Sequence, residues 1–390
     1  MQTGFKAVLT RELARMRSES IYLWMLLILP IGSLVFFASM FAEGKAENYA
    51  VAIYDADNTP MSRMVKSWVD ATPEVEFTNT VYSLEEGRRL IEKGEVFGVL
   101  MLPKGLEDGV YSGDPKKIVL FYSNLNLSAG SGVSVATIKT IKTISAGINL
   151  QKRLSKDKEM YEQAFESIQP IHLDKHTLYN PYINYAYYLA TALFPTMLLM
   201  FILGTTIYII GSELKYYTAE EWYASSDKSV LVAVSAKLLP YTVIFLIEVI
   251  FMNTLIFYQI GAPQNGNFFV LIFTEGLFVV AYQAMGVFLI SVLPNMRLAL
   301  SLGAAYASLA FSFAGLTFPL LAMHPLMQGF AHIFPLTHYM NVYINEAMKG
   351  LDIIYSLPSF AWLMGFIVLP FLLIPRLRAF MTKDKYWGKS

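Results

Sequence analysis

The run Ser20–Ala42, SIYLWMLLILPIGSLVFFASMFA, contains no Asp, Glu, Lys or Arg between Glu19 and Glu43. About 20 apolar residues in a helix cover a hydrocarbon core of roughly 30 Å, so this run reads as a membrane crossing, TM1. The preceding KAVLTRELARMRSES is amphipathic, and no small-residue cleavage pattern follows a short apolar core. A retained anchor is therefore expected rather than a cleaved signal peptide. The rest of the chain has the same character: of 390 residues, 55% are hydrophobic and only 15% charged, with a mean hydropathy of +0.44. An ordinary soluble domain carries about 25% charged residues, so a wholly cytosolic enzyme is not expected. Lys+Arg and Asp+Glu balance at 30 each, which gives no basic excess for nucleic acid. The absence of cysteine excludes disulfides, thiolate metal sites and cysteine nucleophiles.

Five further crossings follow: TM2 over residues 184–210, TM3 over 230–259, TM4 over 268–293, TM5 over 298–320 and TM6 over 353–375. The polar stretch SELKYYTAEEWYASSDKS separates TM2 from TM3, GAPQNGN is a turn-rich break, and PNMR joins TM4 to TM5. From Leu321 to Gly350 the chain is apolar but broken by Pro325 and Pro335, so short or re-entrant outer-leaflet helices are expected there. Lys and Arg near the spans set the orientation. Thirteen of them, from Lys6 through Lys389, fall on one side, against Lys349 alone in the short loops of the other. Both termini are therefore expected in the cytoplasm of a bacterium, beneath its inner membrane.

The remaining 16 Lys and Arg lie between residues 43 and 176 with 19 of the 30 acidic residues, the composition of a soluble domain. Long domains translocate largely regardless of charge, so this insert is expected outside. YAVAIYD, FGVLMLP and IVLFYSN read as buried strands, MSRMVKSWVDA and LEEGRRLIEKG as amphipathic helices, and residues 128–168 as long helices returning to the membrane. The expected fold is a polytopic α-helical membrane protein of six transmembrane helices. Residues 1–42 carry a cytoplasmic amphipathic helix and TM1, 43–180 an extracytoplasmic α/β domain, and 181–390 TM2 to TM6. Within the last, 212–229 is a cytoplasmic loop and 321–350 the re-entrant segment.

No phosphate loop occurs, and H-E-x-x-H and G-x-S-x-G are absent, so any ATP must be hydrolysed by another chain. His324, His332 and His338 are expected to be polar residues of hairpins rather than a metal cluster, because 332 and 338 would face apart on one helix.

Several segments together resemble ABC-2-type export permeases with a large extracytoplasmic insert. They are VLTREL, YAVAIYDADNTPMSRMV and GVLMLP, then LYNPYINYAYYLATALFPTMLLM, SELKYYTAEEWYASS and SAKLLPY, and finally FAGLTFPLLAMHPLMQGFAHIFPLTHYMNVYINEAMKG. Two positions depart from the pattern: Tyr217 stands where the family usually has Gly before the Thr, and Ala236 where Gly commonly precedes Lys237. The resemblance implies a transport subunit with no catalytic residues and no cofactor of its own, ATP and Mg being held by a partner ATPase. It implies pairing with a second permease copy or paralogue, and the outer domain could gate the exit or engage a periplasmic adaptor. It also assigns Glu213, Tyr216, Tyr217, Thr218, Glu220, Glu221 and Trp222 to the coupling loop that the ATPase receives.

The residues themselves give parallel readings. The loop carries an acidic excess on a face that normally favours basic residues, and its aromatics could anchor a partner or sit at headgroup depth. Phe5, Leu9, Leu13 and Met16 place one side of the N-terminal helix along the membrane surface. Lys237 can snorkel to the interface. Glu248, Asn253, Glu275, Tyr282, Gln283, His338 and Glu346 either line a pathway or subunit interface or are satisfied packing. Two other functions use the same features: an ion-coupled secondary transporter with Glu248 or Glu275 carrying protons, and a membrane-anchored envelope scaffold.

Overall fold

The computed structural model describes residues 3–41, 47–114, 116–156, 184–315 and 318–388. The chain divides into two compact units: residues 45–177, and a second made of residues 1–44 with 178–390. The expected boundaries near residues 43 and 180, and the helix expected over 157–168, lie outside the described residues.

The second unit is an α-helical membrane domain. Among the described residues, six of its helices are long and apolar enough to cross a bilayer: TM1 Ser20–Met40, TM2 Ala186–Lys215, TM3 Val230–Gln259, TM4 Phe268–Val292, TM5 Met296–Phe313 and TM6 Leu357–Thr382. Side-chain caps start four of them, with Asn184, Ser229, Asn267 and Asn295 each accepting from a backbone N–H of the first turn. TM5 stops at Phe313 instead of near residue 320, because Gly315 turns the chain at φ +84° and Pro319 cannot rejoin the helix. TM2 continues past residue 210 to Lys215, carrying Glu213 inside the helix. TM6 is interrupted by a 3-10 turn, Leu369–Leu373, around Pro370.

TM2 is the hub, with 67% of its most apolar stretch buried against 17% for TM6. Lipid tails are as apolar as leucine, so helices in a membrane associate through close packing and polar contacts rather than hydrophobic drive. Small residues supply the closeness. A Cβ on Gly286 of TM4 would stand 2.7 Å from Thr206, and one on Gly303 of TM5 would stand 2.8 Å from Ile207, both on TM2.

Two short helices, Pro325–Ala331 and Pro335–Tyr343, follow TM5, each begun by its proline. The first is largely exposed, while Leu336 to Tyr343 is buried save Asn341, packed on TM4, TM5 and TM6. A π-helical turn, Ile344–Met348, closes the segment. The TM3–TM4 turn is stapled to it: the Asn265 backbone N–H donates to Ala347 O at 2.8 Å and its side-chain amide to Met348 O at 2.7 Å.

The unit of residues 45–177 is α/β. Strands β1 Tyr49–Asp55, β2 Val75–Thr80, β3 Gly98–Leu102 and β4 Val119–Tyr122 form a sheet of order β2-β1-β3-β4. β1 runs parallel to β2 and β3, and β4 is antiparallel to β3. The β2 strand had no expectation from sequence: of VEFTNT only Val75 is buried, so an exposed edge strand leaves no apolar run to read. Helix Pro60–Asp70 and the first part of helix Leu127–Lys156 bury one sheet face around Val51, Ile53 and Leu100. Helix Leu84–Lys93 lies on the other, and Gly87 lets it settle onto Val99.

The turn after β1 is organised by Asp57, whose carboxylate accepts from the backbone N–H groups of Gly105, Leu106 and Glu107 at 2.6, 3.1 and 3.1 Å and from the Thr59 hydroxyl at 2.6 Å. Partial burial works against the charge, but these hydrogen bonds favour the carboxylate more and lower the pKa from 3.8. The linked stability is therefore complete above pH 3.8 and disappears as pH falls through the depressed folded value. Asp57→Asn should loosen this turn by about 1 kcal/mol near neutrality, the usual worth of a cap. In the intact chain, amide exchange at residues 104–112, corrected for intrinsic rate, should separate variant from wild type at pH 5–7. The gap should close below pH 3.8, and a gap constant with pH would contradict the assignment.

Candidate functional site

One end of the membrane unit gathers the N-terminal helix Phe5–Ser18, the helix Ala219–Ser225 between TM2 and TM3, and the chain after TM6. Gly4 N–H donates to Ser225 O at 2.9 Å, and Gly388 N–H to Leu214 O at 3.0 Å. At their centre is Glu213, fully buried near the end of TM2. Arg11 grips it with two parallel bonds, Nη1 to Oε1 at 2.7 Å and Nη2 to Oε2 at 2.9 Å. Arg15 Nη1 reaches Oε1 at 2.5 Å, Lys237 Nζ reaches the same oxygen at 2.7 Å, and the Thr218 hydroxyl donates to Oε2. Lys237 also donates to Glu12 Oε2 at 2.5 Å, and the Tyr241 hydroxyl to Glu12 Oε1 at 2.5 Å. Two exposed carboxylates approach from outside, Glu19 at 3.6 Å from Arg15 and Glu221 at 3.8 Å from Arg11. Burial disfavours the charge on Arg11, yet the hydrogen bonds and negative charge of Glu213 outweigh it and hold the guanidinium pKa above its ordinary value.

This geometry corrects two expectations, those for Lys237 and for the loop. Lys237 does not snorkel: its side chain is fully buried, with the ammonium 5.2 Å from the Trp222 ring centre. The N-terminal helix turns Val8 and Glu12 inward, while Phe5 and Leu13 of its apolar face stay exposed. In the loop, Glu213 and Trp222 are internal, the Trp222 indole donating to Ala233 O at 3.2 Å, so neither can anchor a partner. Tyr216, Tyr217, Glu220 and Glu221 remain on the surface. Tyr217 sits at φ +62°, a left-handed conformation that costs a non-glycine residue roughly 1 kcal/mol or more, and its ring meets Trp387 edge-on at 6.4 Å. Glu12 and Tyr241 escaped the sequence reading. The available signal was Val8, Glu12 and Arg15 at helical spacing, one face holding a carboxylate where an apolar residue should stand.

Glu248, Asn253, Glu275, Tyr282, Gln283, His338 and Glu346 are all buried but do not form one site. Asn253 Nδ2 donates to Glu275 Oε2 at 2.8 Å and the Tyr339 hydroxyl to Oε1 at 3.3 Å. The Tyr282 hydroxyl accepts from Leu336 N–H at 3.2 Å, Gln283 Oε1 lies 2.8 Å from Thr242 Oγ1, and Glu346 accepts from the Ser356 hydroxyl at 3.3 Å. Glu248 has no hydrogen-bond partner among the described residues. His332 and His338 do not face apart. The chain breaks between them at Pro335, and their rings stack at 5.3 Å, with Trp362 5.1 Å from the His338 ring. Among the described residues no group of three or more His, Asp or Glu could hold a metal ion.

Removing one member of a buried ion pair leaves the other charge unpaired, at a cost of about 3–5 kcal/mol. Lys237→Met should therefore lower the thermal stability of the purified chain strongly, because Glu12 keeps only Tyr241. Adding Glu12→Gln removes the stranded charge while keeping an acceptor for Tyr241, and should restore part of the loss. With Glu12→Gln measured alone, a double-variant loss equal to the sum of the two single losses would show that Glu12 and Lys237 act independently.

No curated protein matches the chain at a significant level. The family model described as ABC-2 family transporter protein matches residues 20–374, from the first residue of TM1 into the last turns of TM6. The chain belongs to the ABC-2 family of transporter proteins.

Proposed function

We propose that this chain is the permease subunit of an ATP-driven exporter, working with a separate ATPase and with a second permease copy or paralogue. The observation that carries this reading is the helix Ala219–Ser225, which exposes Glu220 and Glu221 beside Tyr216 and Tyr217 while its inner face is fastened to the bundle through Trp222. A rigidly seated acidic and aromatic surface suits a basic groove on an ATPase. ATP and Mg belong to that partner. Movement of the helix passes to Glu213, and from there to Arg11 and Arg15 of the N-terminal helix and Lys237 of TM3, so these elements shift as one body. The cluster's end of the bundle is cytoplasmic in this scheme, the 45–177 unit is periplasmic, where an adaptor can engage it, and the membrane is the bacterial inner membrane.

A second reading rests on Glu248. A buried carboxyl without a hydrogen-bond partner among the described residues suits a proton carrier in an ion-coupled transporter. Transport that follows a pH gradient without ATP, and stops in Glu248→Gln, would favour it.

Two measurements test the main reading. Native cysteines are absent, so a Cys placed at exposed Ser112, the last residue of the helix Leu106–Ser112, reports the sidedness of the insert cleanly. It should react with an impermeant maleimide added outside spheroplasts, and reaction only after lysis would reverse the topology. Glu220→Lys with Glu221→Lys should weaken ATPase association by about 1 kcal/mol or less per position, roughly fivefold each, without lowering thermal stability of the permease. Unchanged affinity and unchanged coupled ATPase activity would remove this helix from the interface.

A further inference from the structure

TM3, TM4 and the interrupted part of TM6 enclose a groove of about 290 Å³, close to the roughly 300 Å³ at which small-molecule pockets begin. Its walls include Leu238 and Thr242 of TM3, Gln283 and Val287 of TM4, and Pro370 and Phe371 of TM6. The 3-10 turn at Leu369–Leu373 supplies the last two, so the groove exists where TM6 departs from α-helical geometry. No lining residue is charged, and the polar ones are Ser235, Thr242 and Gln283 alone.

Gln283 is 2% exposed, and its amide is only half satisfied. Thr242 Oγ1 lies 3.0 Å from Leu238 O and 2.8 Å from Gln283 Oε1, and Nε2 has no partner among the described residues. A threonine hydroxyl has one proton. If that proton goes to Gln283, the Nε2 donor is left over. If it goes to Leu238 O and the amide is turned to donate to Thr242, the carbonyl is left over instead. Either way a buried polar atom is unsatisfied in an apolar groove, at a cost that a ligand hydrogen bond would remove.

We propose that this groove binds a neutral amphiphile, an apolar body carrying one hydroxyl, which enters from the bilayer and bonds to the Gln283 amide as that side chain turns into the groove from its enclosed position beside Thr242. A hydroxyl both donates and accepts, so it satisfies the amide in either orientation. A charged headgroup finds no counter-ion among the lining residues, and a plain hydrocarbon leaves the amide unsatisfied. The site is separate from the Glu213 cluster and needs neither ATP nor an ATPase.

The test uses the full chain alone in nanodiscs, with two photoactivatable probes, a diazirine-bearing octanol and the matching diazirine-bearing octane. The octanol probe should label peptides covering residues 230–242, 280–287 and 367–377 saturably, with competition by 1-octanol. Gln283→Leu keeps the volume and removes the amide, and should weaken octanol labelling about tenfold while octane labelling changes less than twofold. Ala284→Leu, which narrows the groove, should weaken both. Labelling that is unsaturable and uniform over all six crossings would overturn the proposal, as would equal octanol midpoints in wild type and Gln283→Leu. Thermal stability of each variant, measured in parallel, separates loss of the site from loss of the fold.

Discussion

A carboxylate removed from water costs several kcal/mol unless charge and hydrogen bonds replace the lost hydration. Glu213 carries that requirement to the end of TM2, and it is met by residues from three places in the chain: Arg11 and Arg15 of the N-terminal helix, Lys237 of TM3 and Thr218 of the intervening turn. None of these elements could move far alone without stranding a charge. The position of the helix Ala219–Ser225 follows from this constraint, because Trp222 is wedged beside Lys237 and bonded to Ala233. Hydrophobic burial could not fix it so sharply, since an apolar helix gains little from facing protein rather than lipid.

Along the bundle the means of association change. Charge holds the end at Glu213, small residues bring TM4 and TM5 against TM2 at Gly286 and Gly303, and hydrogen bonds around Glu275 and the Asn265 staple hold the opposite end. A polar tie between helices specifies register as well as distance, whereas glycine packing specifies closeness and leaves sliding less restricted. The two polar ends therefore define the helix registers between which the middle packs.

The crossings were legible in the sequence because a run of about twenty predominantly apolar residues matches the thickness of a bilayer and exceeds what a buried strand or a short core helix needs, even where Lys237, Glu248 or Glu275 interrupts it. β1 and β3 were legible because their apolar runs are largely buried, whereas β4, expected as a buried strand, has no buried residue and was legible only from its unbroken apolar run. The ends were less legible. TM5 stops at Phe313 through a glycine conformation, and TM2 runs to Lys215 because distant cations make Glu213 tolerable inside a helix. The polar cluster was hidden for the same reason: Glu12 and Lys237 are 225 positions apart, and neither carries a local mark of its partner. Local spacing misled for His332 and His338, where one proline-containing break turned an expected divergence into a stack. Tyr217 stands where glycine was expected from the family pattern, and its left-handed backbone explains what that glycine would serve.

The length of TM2 has a mechanical meaning. Ala186–Lys215 at 1.5 Å per residue is a rod of about 45 Å, gripped at one end by ionic bonds and meeting Gly286 of TM4 and Gly303 of TM5 at Thr206 and Ile207, closer to the gripped end than to the other. A rod pivoting at such a contact is a lever with unequal arms, roughly 10 Å to Glu213 and about 30 Å to Ala186, so a tilt of about 5° that moves Glu213 by roughly 1 Å carries the far end roughly 2.6 Å the opposite way. More than two ångströms exceeds the tolerance of close-packed side chains, so under the proposed coupling a small push at Glu213 would produce a discrete repacking at the far end of TM2 rather than a graded one.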